Sequence, residues 1–271
     1  MQEISFDECK KLQLDILVEV AEFCERHHIR YSLAYGTLIG AIRHKGYIPW
    51  DDDIDIIMPR PDYDKFVASF QHPKYNLLGG ANLSNHLHHV VTDMQTTLVF
   101  EKSLNDNHYY KGGLWVDIFP IDKVPDDKDE YRKLKKRIST LCTLHRYGEF
   151  PDQLIAASVK PSKKRMKRMF SWVMKPFVKL LGCLIIRTVH YYDDKATTTG
   201  ADLSLWYLGW PSFPISWLEE YVDVEFENHR FKAIKEYDSF LRAIYGDYMK
   251  YPPKEDQVPK HAYKAYYRNQ D

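Results

Sequence analysis

Few cysteines, no net charge and no long apolar run set the first limits on this chain of 271 residues. Its four cysteines, Cys9, Cys24, Cys142 and Cys183, lie far apart and form no Cys-x-x-Cys pair. That argues against a structural zinc site or a redox motif and fits a reducing compartment. Lys plus Arg and Asp plus Glu balance at 38 each, so the overall charge gives no reason to expect nucleic acid as a partner. The N-terminus, MQEISFDECKK, has no apolar signal core, and the expected location is cytoplasmic. Repeats and low-complexity tracts are absent too. What remains is a chain long enough to bury a substantial core, as one large domain or one domain with an insertion.

The stretch around which the rest is organised is Tyr31 to Met58, YSLAYGTLIGAIRHKGYIPWDDDIDIIM. It opens as an apolar strand-like run broken at Gly36-Thr37, passes through a short helical pattern with Gly40, Arg43, His44 and Lys45, and ends in Asp51-Asp52-Asp53-Ile54-Asp55. Four carboxylates within five positions repel one another. A folded chain tolerates them when they are fully solvated or when a cation neutralises them. In Asp53-Ile54-Asp55-Ile56 the strand period of two puts Asp53 and Asp55 on one face and the isoleucines on the other. Two aligned carboxylates suit a divalent metal, and oxygen-only ligands suit Mg²⁺ or Mn²⁺ best. The plain alternative is a solvated acidic turn. A calcium loop of the EF-hand type is excluded, because its sixth position is Ile56 instead of glycine and its twelfth is Asp62 instead of glutamate. Backbone N–H groups at the helix start by Gly36 and Thr37 can hold a phosphate, and the carboxylates can hold the metal that bridges it.

Elsewhere the pattern is mostly structural. Ser5 and Glu8 have capping-box spacing, and Leu12, Ile16, Val20 and Phe23 predict a first helix to about His28. Pro59 and Pro61 bracket a turn, a short helix follows over Asp62 to Phe70, and strands are expected at His88–Val91 and Thr96–Phe100. His86-x-His88-His89 lacks a third ligand at zinc spacing and reads as a surface or strand-edge cluster. Asp117, in Trp115-Val116-Asp117-Ile118-Phe119-Pro120, is an isolated carboxylate in an apolar run. Such a group needs a cation or an arginine. Asp122 lies beyond Pro120 in an expected turn and is the weaker candidate. His145 falls on the apolar stripe of the next helix and reads as a core histidine.

Between Lys160 and Arg187 the charge is one-sided, with nine basic residues and no acidic one. Met166, Phe170, Val173, Phe177, Leu180 and Leu184 recur through it at helical spacing, and Pro176 predicts a kink. The uncharged run Leu180 to Ile186 is far short of the ~20 residues that span a bilayer. A helix lying on an anionic membrane face and a basic-edged helix packed on the core both fit. Thr197 to Trp217 is an irregular or β-like region with Trp206, Tyr207, Trp210 and Trp217, aromatic faces of the kind that hold a quaternary ammonium. A last helix is expected over Glu236 to Tyr245, stopped by Gly246.

YGTLIGAIRHKGYIPWDDDIDIIMPRPDY, GGLWVDIFPIDKVP at Gly112 to Pro125, and YGDYMKYPP with HAYKAYY resemble the signature of the LicD family. The resemblance spans nearly the whole chain. It implies an α/β fold of mixed α+β type: a small nucleotidyltransferase-like sheet with flanking helices and a mostly helical C-terminal elaboration. The expected division is a catalytic core over 1–150, a basic helical insertion over 151–195, and an aromatic-rich part over 196–271 that completes the same site. It further implies transfer of phosphocholine from CDP-choline to a sugar hydroxyl of a teichoic acid or similar lipid-linked glycan; the basic segment over 160–187 adds an expected peripheral contact with the anionic inner membrane face. Asp53 and Asp55 would hold one or two Mg²⁺ ions. Asp117 would complete the metal site or accept the proton of the attacking hydroxyl, and Asp51, the acidic residue after the tryptophan, would contribute more than Asp52. Gly36 and Thr37 would approach a phosphate, Arg43, His44 and Lys45 would attract the diphosphate, and Trp50 would stack on a base or line a choline pocket. Glycerol or ribitol phosphate as cargo, true nucleotidyl transfer, and a non-catalytic calcium- and membrane-binding protein are the competing readings.

Overall fold

The computed structural model describes residues 1–79, 87–100, 112–149, 161–205, 208, 210–261 and 263–268. His86, Lys160, Trp206 and Tyr207 lie outside them.

Ser5 caps the first helix, α1 (Phe6–Arg26), by accepting a hydrogen bond from the Glu8 amide at 3.3 Å, as the capping-box spacing predicts. The helix ends two residues early because His28 turns to a left-handed φ of 52°. Its apolar stripe, Ile16, Leu17 and Val20, is wholly buried. Each such aliphatic side chain contributes about 1.5–3 kcal/mol through the water it leaves. A two-residue β1 (Glu3–Ile4) precedes it, and β2 (Ser32–Leu33) follows.

The expected break at Gly36-Thr37 sits one residue earlier. Tyr35 takes a φ of 48°, and α2 (Tyr35–His44) begins there, so Gly36 and Thr37 belong to its first turn. A Cβ on Gly40 would come 2.4 Å from the Gly46 carbonyl oxygen, so this close passage of the chain at the end of α2 requires glycine. Then come β3 (Asp55–Pro59) and α3 (Arg60–Ser69). Pro61 stands in the first turn of α3 and not in a separate turn, since its missing N–H has no partner to lose there.

The strands β4 (Tyr75–Gly79), β5 (His89–Asp93), β6 (Thr96–Phe100) and β7 (Trp115–Val124) complete the first half. The central sheet runs β2-β3-β7-β5-β4. Among the described residues of this sheet only β3 and β7 are parallel, with Asp55 opposite Asp117, and the other pairs are antiparallel. β7 is buried at nine of its ten positions, which explains its near-continuous apolar sequence.

α4 (Lys128–Glu149) follows, started by Asp127, whose carboxylate accepts from the amides of Asp129 and Glu130. Its apolar stripe buries His145 with Leu134, Ile138 and Cys142. From Pro161 on, the basic segment is helical: α5 (Pro161–Met174), a 3-10 turn at Lys175–Phe177 containing Pro176, and α6 (Val178–Val189). Taken together, Ser162–Tyr192 is long and apolar enough to cross a membrane by length and composition, although no single uncharged run within it is. α6 packs its Ile185 and Val189 on Tyr131, Ile138 and Cys142 of α4, which closes a second, smaller core.

Beyond it come β8 (Thr199–Ala201), β9 (Phe213–Pro214), the hairpin β10 (Tyr221–Phe226) and β11 (His229–Ile234), then α7 (Tyr237–Tyr245). β8 extends the far half of β7. Gly246 ends α7 with a φ of 69°. The last strand, β12 (Tyr263–Tyr267), inserts between β1 and β6, so the C-terminus folds back onto the acidic loop. The result is a mixed α/β sheet with flanking helices, as the sequence implies.

Candidate active site

The parallel pairing of β3 with β7 sets opposite residues at the same level, so Asp55 and Asp117 meet where the two strands begin. Asp53 lies two residues before Asp55 and returns to the same face, while Ile54 and Ile56 are fully buried on the other. Asp53, Asp55 and Asp117 each present a ligand oxygen, all within 4.8 Å of one another. Asp55 and Asp117 are only 9% and 6% exposed. Burial, reinforced by the charges of Asp53, Asp117 and Asp51, drives the Asp55 carboxyl well above the ordinary carboxylate range. Burial also lifts Asp53 to about 6, opposed by His261 and aided by Asp117 and Asp52. Asp117 rises to about 7 through burial, against the opposing indole N–H of Trp115 and the charge of His261. Three like charges forced together out of water need a cation to stay ionised.

Thr37 holds this group from α2. Its Oγ1 accepts the Asp55 amide at 2.9 Å, which leaves the hydroxyl proton to donate elsewhere. Gly36 faces Asp51: a Cβ there would come 2.6 Å from Asp51 Oδ2. Asp51 stands outside both groups of side chains that gather ligand atoms among the described residues. Burial and the charges of Asp53 and Asp52 raise it to about 8. Asp52 turns the other way. Its Oδ2 accepts the His261 amide at 2.9 Å and its Oδ1 lies 3.1 Å from His261 Nδ1. Asp52, Asp53 and His261 form the second group of ligand atoms. Burial disfavours the His261 cation, but the Asp52 hydrogen bond and the charges of Asp53, Asp52 and Asp117 hold its pKa up at about 9.

Arg43, His44 and Lys45 occupy the other end of α2, about 10 Å along its axis from Gly36. Arg43 stacks on Tyr251 at 4.5 Å, donates from Nη1 to the Tyr248 carbonyl at 2.9 Å, and donates from Nε to His44 Nε2 at 2.9 Å. Trp50 packs 6.2 Å from the same Tyr251 ring. Lys45 forms the left-handed cap of α2, and its carbonyl accepts the Glu227 amide. Tyr251 therefore gathers Arg43, His44 and Trp50 beside the acidic loop.

The expected surface histidine cluster is corrected. His88 is 2% exposed, and its Nε2 lies 2.9 Å from Asp117 Oδ1. Burial drives its pKa down to about 3, so the ring is neutral, and in the tautomer with its proton on Nε2 it donates to the carboxylate. Trp115 Nε1 donates to the other oxygen, Oδ2, at 2.7 Å. The two donors fix the orientation of Asp117. The residue that takes an arginine is Asp122, fully buried in the far half of β7 and not in a turn, with Arg60 Nε at 2.6 Å.

Several contacts at the site have no local signal in the sequence. Gln13 of α1, fully buried, donates from Nε2 to the carbonyls of Asp52 (3.1 Å) and Trp115 (3.3 Å), tying the acidic loop to the start of β7. Asp202 accepts the Tyr35 hydroxyl at 2.6 Å, and its charge helps raise Asp55. Tyr245 is 42% exposed as a residue; local desolvation of its hydroxyl and the charges of Asp55, Asp51 and Asp53 push its pKa up, and Trp210 lies 6.2 Å from its ring. Trp217, by contrast, stacks on Phe213 and belongs to the core. The two motifs near the C-terminus contained Tyr245 and His261, but nothing in their spacing indicated what these residues touch.

The family described as LicD/FKTN/FKRP, nucleotidyltransferase domain, matches residues 28–165. The lipopolysaccharide cholinephosphotransferase LicD of Haemophilus influenzae is 33% identical over 271 residues, 98% of this chain and 99% of the relative. An uncharacterised Rickettsia typhi protein, RT0683, is 29% identical over 128 residues, 43% of this chain and 40% of its own. The family match includes Asp53, Asp55, Asp117 and the whole of α2, and the Haemophilus relative extends the likeness through His261: the chain belongs to the LicD family.

Proposed function

We propose that this protein transfers phosphocholine from CDP-choline to a sugar hydroxyl of a lipid-linked cell-surface glycan, of lipopolysaccharide or teichoic-acid type. The observation that carries the reading is the convergence of Asp53, Asp55 and Asp117 within 4.8 Å at the start of two parallel strands, in a chain alike over its full length to a named cholinephosphotransferase. The donor set fits Mg²⁺ or Mn²⁺: all oxygen, from three carboxylates crowded and partly desolvated together. Bound there, the ion would neutralise charge on the diphosphate and on the departing cytidine monophosphate.

The chain's own residues divide the remaining work. Asp53 and Asp55 would hold the ion. Asp117, oriented by Trp115 and His88, completes the set or accepts the proton of the attacking hydroxyl, and a pH–rate profile of Asp117→Asn separates these roles. The first-turn amides of α2 and the Thr37 hydroxyl donate to phosphate oxygens. Arg43 supplies positive charge to the nucleotide side, while His44, held neutral by burial and by the Arg43 guanidinium that donates to its Nε2, orients it beside Tyr251, with Trp50 offered to the base. Trp210 and Tyr245 present aromatic faces for the trimethylammonium group. In the reaction the sugar oxygen bonds to the phosphorus of phosphocholine, the bond from that phosphorus to the bridging oxygen breaks, and cytidine monophosphate and one proton leave.

The test offers CDP-choline, CDP-glycerol and CDP-ribitol in parallel, with Mg²⁺ and a glycan acceptor. Cytidine monophosphate formed from CDP-choline alone is the expected result. Release from CDP-glycerol or CDP-ribitol instead would reassign the cargo, and pyrophosphate released from a nucleoside triphosphate would move the protein to nucleotidyl transfer.

A further inference from the structure

The helical arm α5–α6 carries a group of side chains that neither the fold nor the proposed site uses. Between residues 161 and 192 there are eight basic residues and no acidic one. Met166, Met169, Val173, Phe177 and Leu180 follow one another at steps of three and four, and all are exposed at 44% or more. Trp172 beside them is 79% exposed. An apolar stripe of this kind on a surface helix is costly in water and marks an interaction face. Lys163, Lys164, Arg165, Arg168, Lys175 and Lys179 are exposed along the same arm, and none of them forms an ion pair among the described residues. Where α6 meets α4, Lys133 and Arg137 join Arg187 in lining a groove of about 480 Å³ with Tyr191.

We infer that this arm lies flat on an anionic lipid surface, with Trp172 and the Met166–Leu180 stripe in the headgroup layer and the lysines and arginines at the phosphates. Charge decides the partner: an uninterrupted basic segment beside exposed apolar side chains complements an anionic bilayer, where each added cation near the surface strengthens binding. A spanning arrangement conflicts with the packing. Leu181, Ile185 and Val189 are buried, and Ile185 and Val189 pack in the α4 core, so lipid cannot surround α6. Long lysine and arginine stems let the stripe sink while their charges stay in the headgroups. This inference stands apart from the transfer reading, because it uses none of the residues assigned to that site.

The test is sedimentation of the full-length protein with vesicles of phosphatidylcholine alone and of phosphatidylcholine mixed with phosphatidylglycerol. Binding to the mixed vesicles only, lost on raising the salt, is expected. Replacing Lys163, Lys164, Arg165 and Arg168 by serine should weaken it about 100-fold or more. Met169→Ser with Trp172→Ser should also release the protein, and both variants should melt as the parent does, because these side chains are exposed. Asp53→Asn with Asp55→Asn should bind vesicles like the parent, so loss of transfer and loss of docking read separately. Equal binding to neutral vesicles, no binding, resistance to alkaline extraction, or a doubled mass in solution with Trp172 shielded from acrylamide before lipid is added would each overturn the inference. The last of these would assign the face to a second copy of the chain.

Discussion

Asp55 on β3 and Asp117 on β7 stand directly opposite each other across a parallel strand pair, and both are buried. Nothing in packing alone favours two carboxylates there. Asp55→Asn and Asp117→Asn should therefore fold at least as well as the parent without added metal, yet lose transfer by about 100-fold or more. Thermal melting beside the initial rate of cytidine monophosphate release checks both halves. A variant that keeps full activity would remove its residue from the site.

The same crowding sets a pH dependence. Folding raises Asp53 to about 6 and Asp117 to about 7 from an unfolded value of 3.8, so between roughly pH 4 and 7 the folded state binds more protons than the unfolded one. Stability from these groups is greatest at the acid end and is lost as pH rises through 6 to 7. The metal-free parent should thus lose stability relative to Asp117→Asn on going from pH 5 to pH 8. Mg²⁺ or Mn²⁺ should restore it at pH 8. Parallel pH profiles for the two proteins would contradict the prediction.

Trp210 and Tyr245 are assigned to the cationic end of the substrate. Trp210→Ala should raise KM for CDP-choline by about 3- to 30-fold, the range of one cation–π contact, with a smaller change for CDP-ethanolamine, whose ammonium is better served by hydrogen bonds. An equal rise for both donors would make Trp210 a packing residue only.

Arg60 of α3 and Asp122 form a buried ion pair at 2.6 Å; Asp122 shares β7 with Asp117 but has a structural role. Asp122→Ala strands a buried guanidinium and should cost about 3–5 kcal/mol in chemical denaturation. The folded fraction should keep the parent kcat. A fall in kcat with unchanged stability would bring Asp122 back into the site.

The acidic site was readable in sequence where it is local. The alternation Asp53-Ile54-Asp55-Ile56 gives its face, and the isolated carboxylate of Asp117 in an apolar run signals a special partner. The capping of α1 by Ser5 and the stop of α7 at Gly246 were readable for the same reason. What the sequence could not supply were contacts between distant segments. His261 reaches Asp52 across 209 positions, and Gln13 reaches Trp115 across 102, through strand pairings that no local period encodes. His88 was misjudged because its neighbours in sequence look like a strand edge, whereas the start of β5 turns it inward onto Asp117. The placement of Gly36 was missed for a related reason: the left-handed residue is Tyr35, and Gly36 is needed beside the Asp51 carboxylate.

The most direct measurement follows two labels from one donor. CDP-choline carrying one isotope in choline and another in cytidine is incubated with the protein, Mg²⁺ and the glycan acceptor, and both labels are counted in the purified glycan. The account predicts the choline label in the glycan, the cytidine label in free cytidine monophosphate in equal amount, and neither product with Asp53→Asn. Cytidine label in the glycan, or choline transfer undiminished in Asp53→Asn, would contradict it.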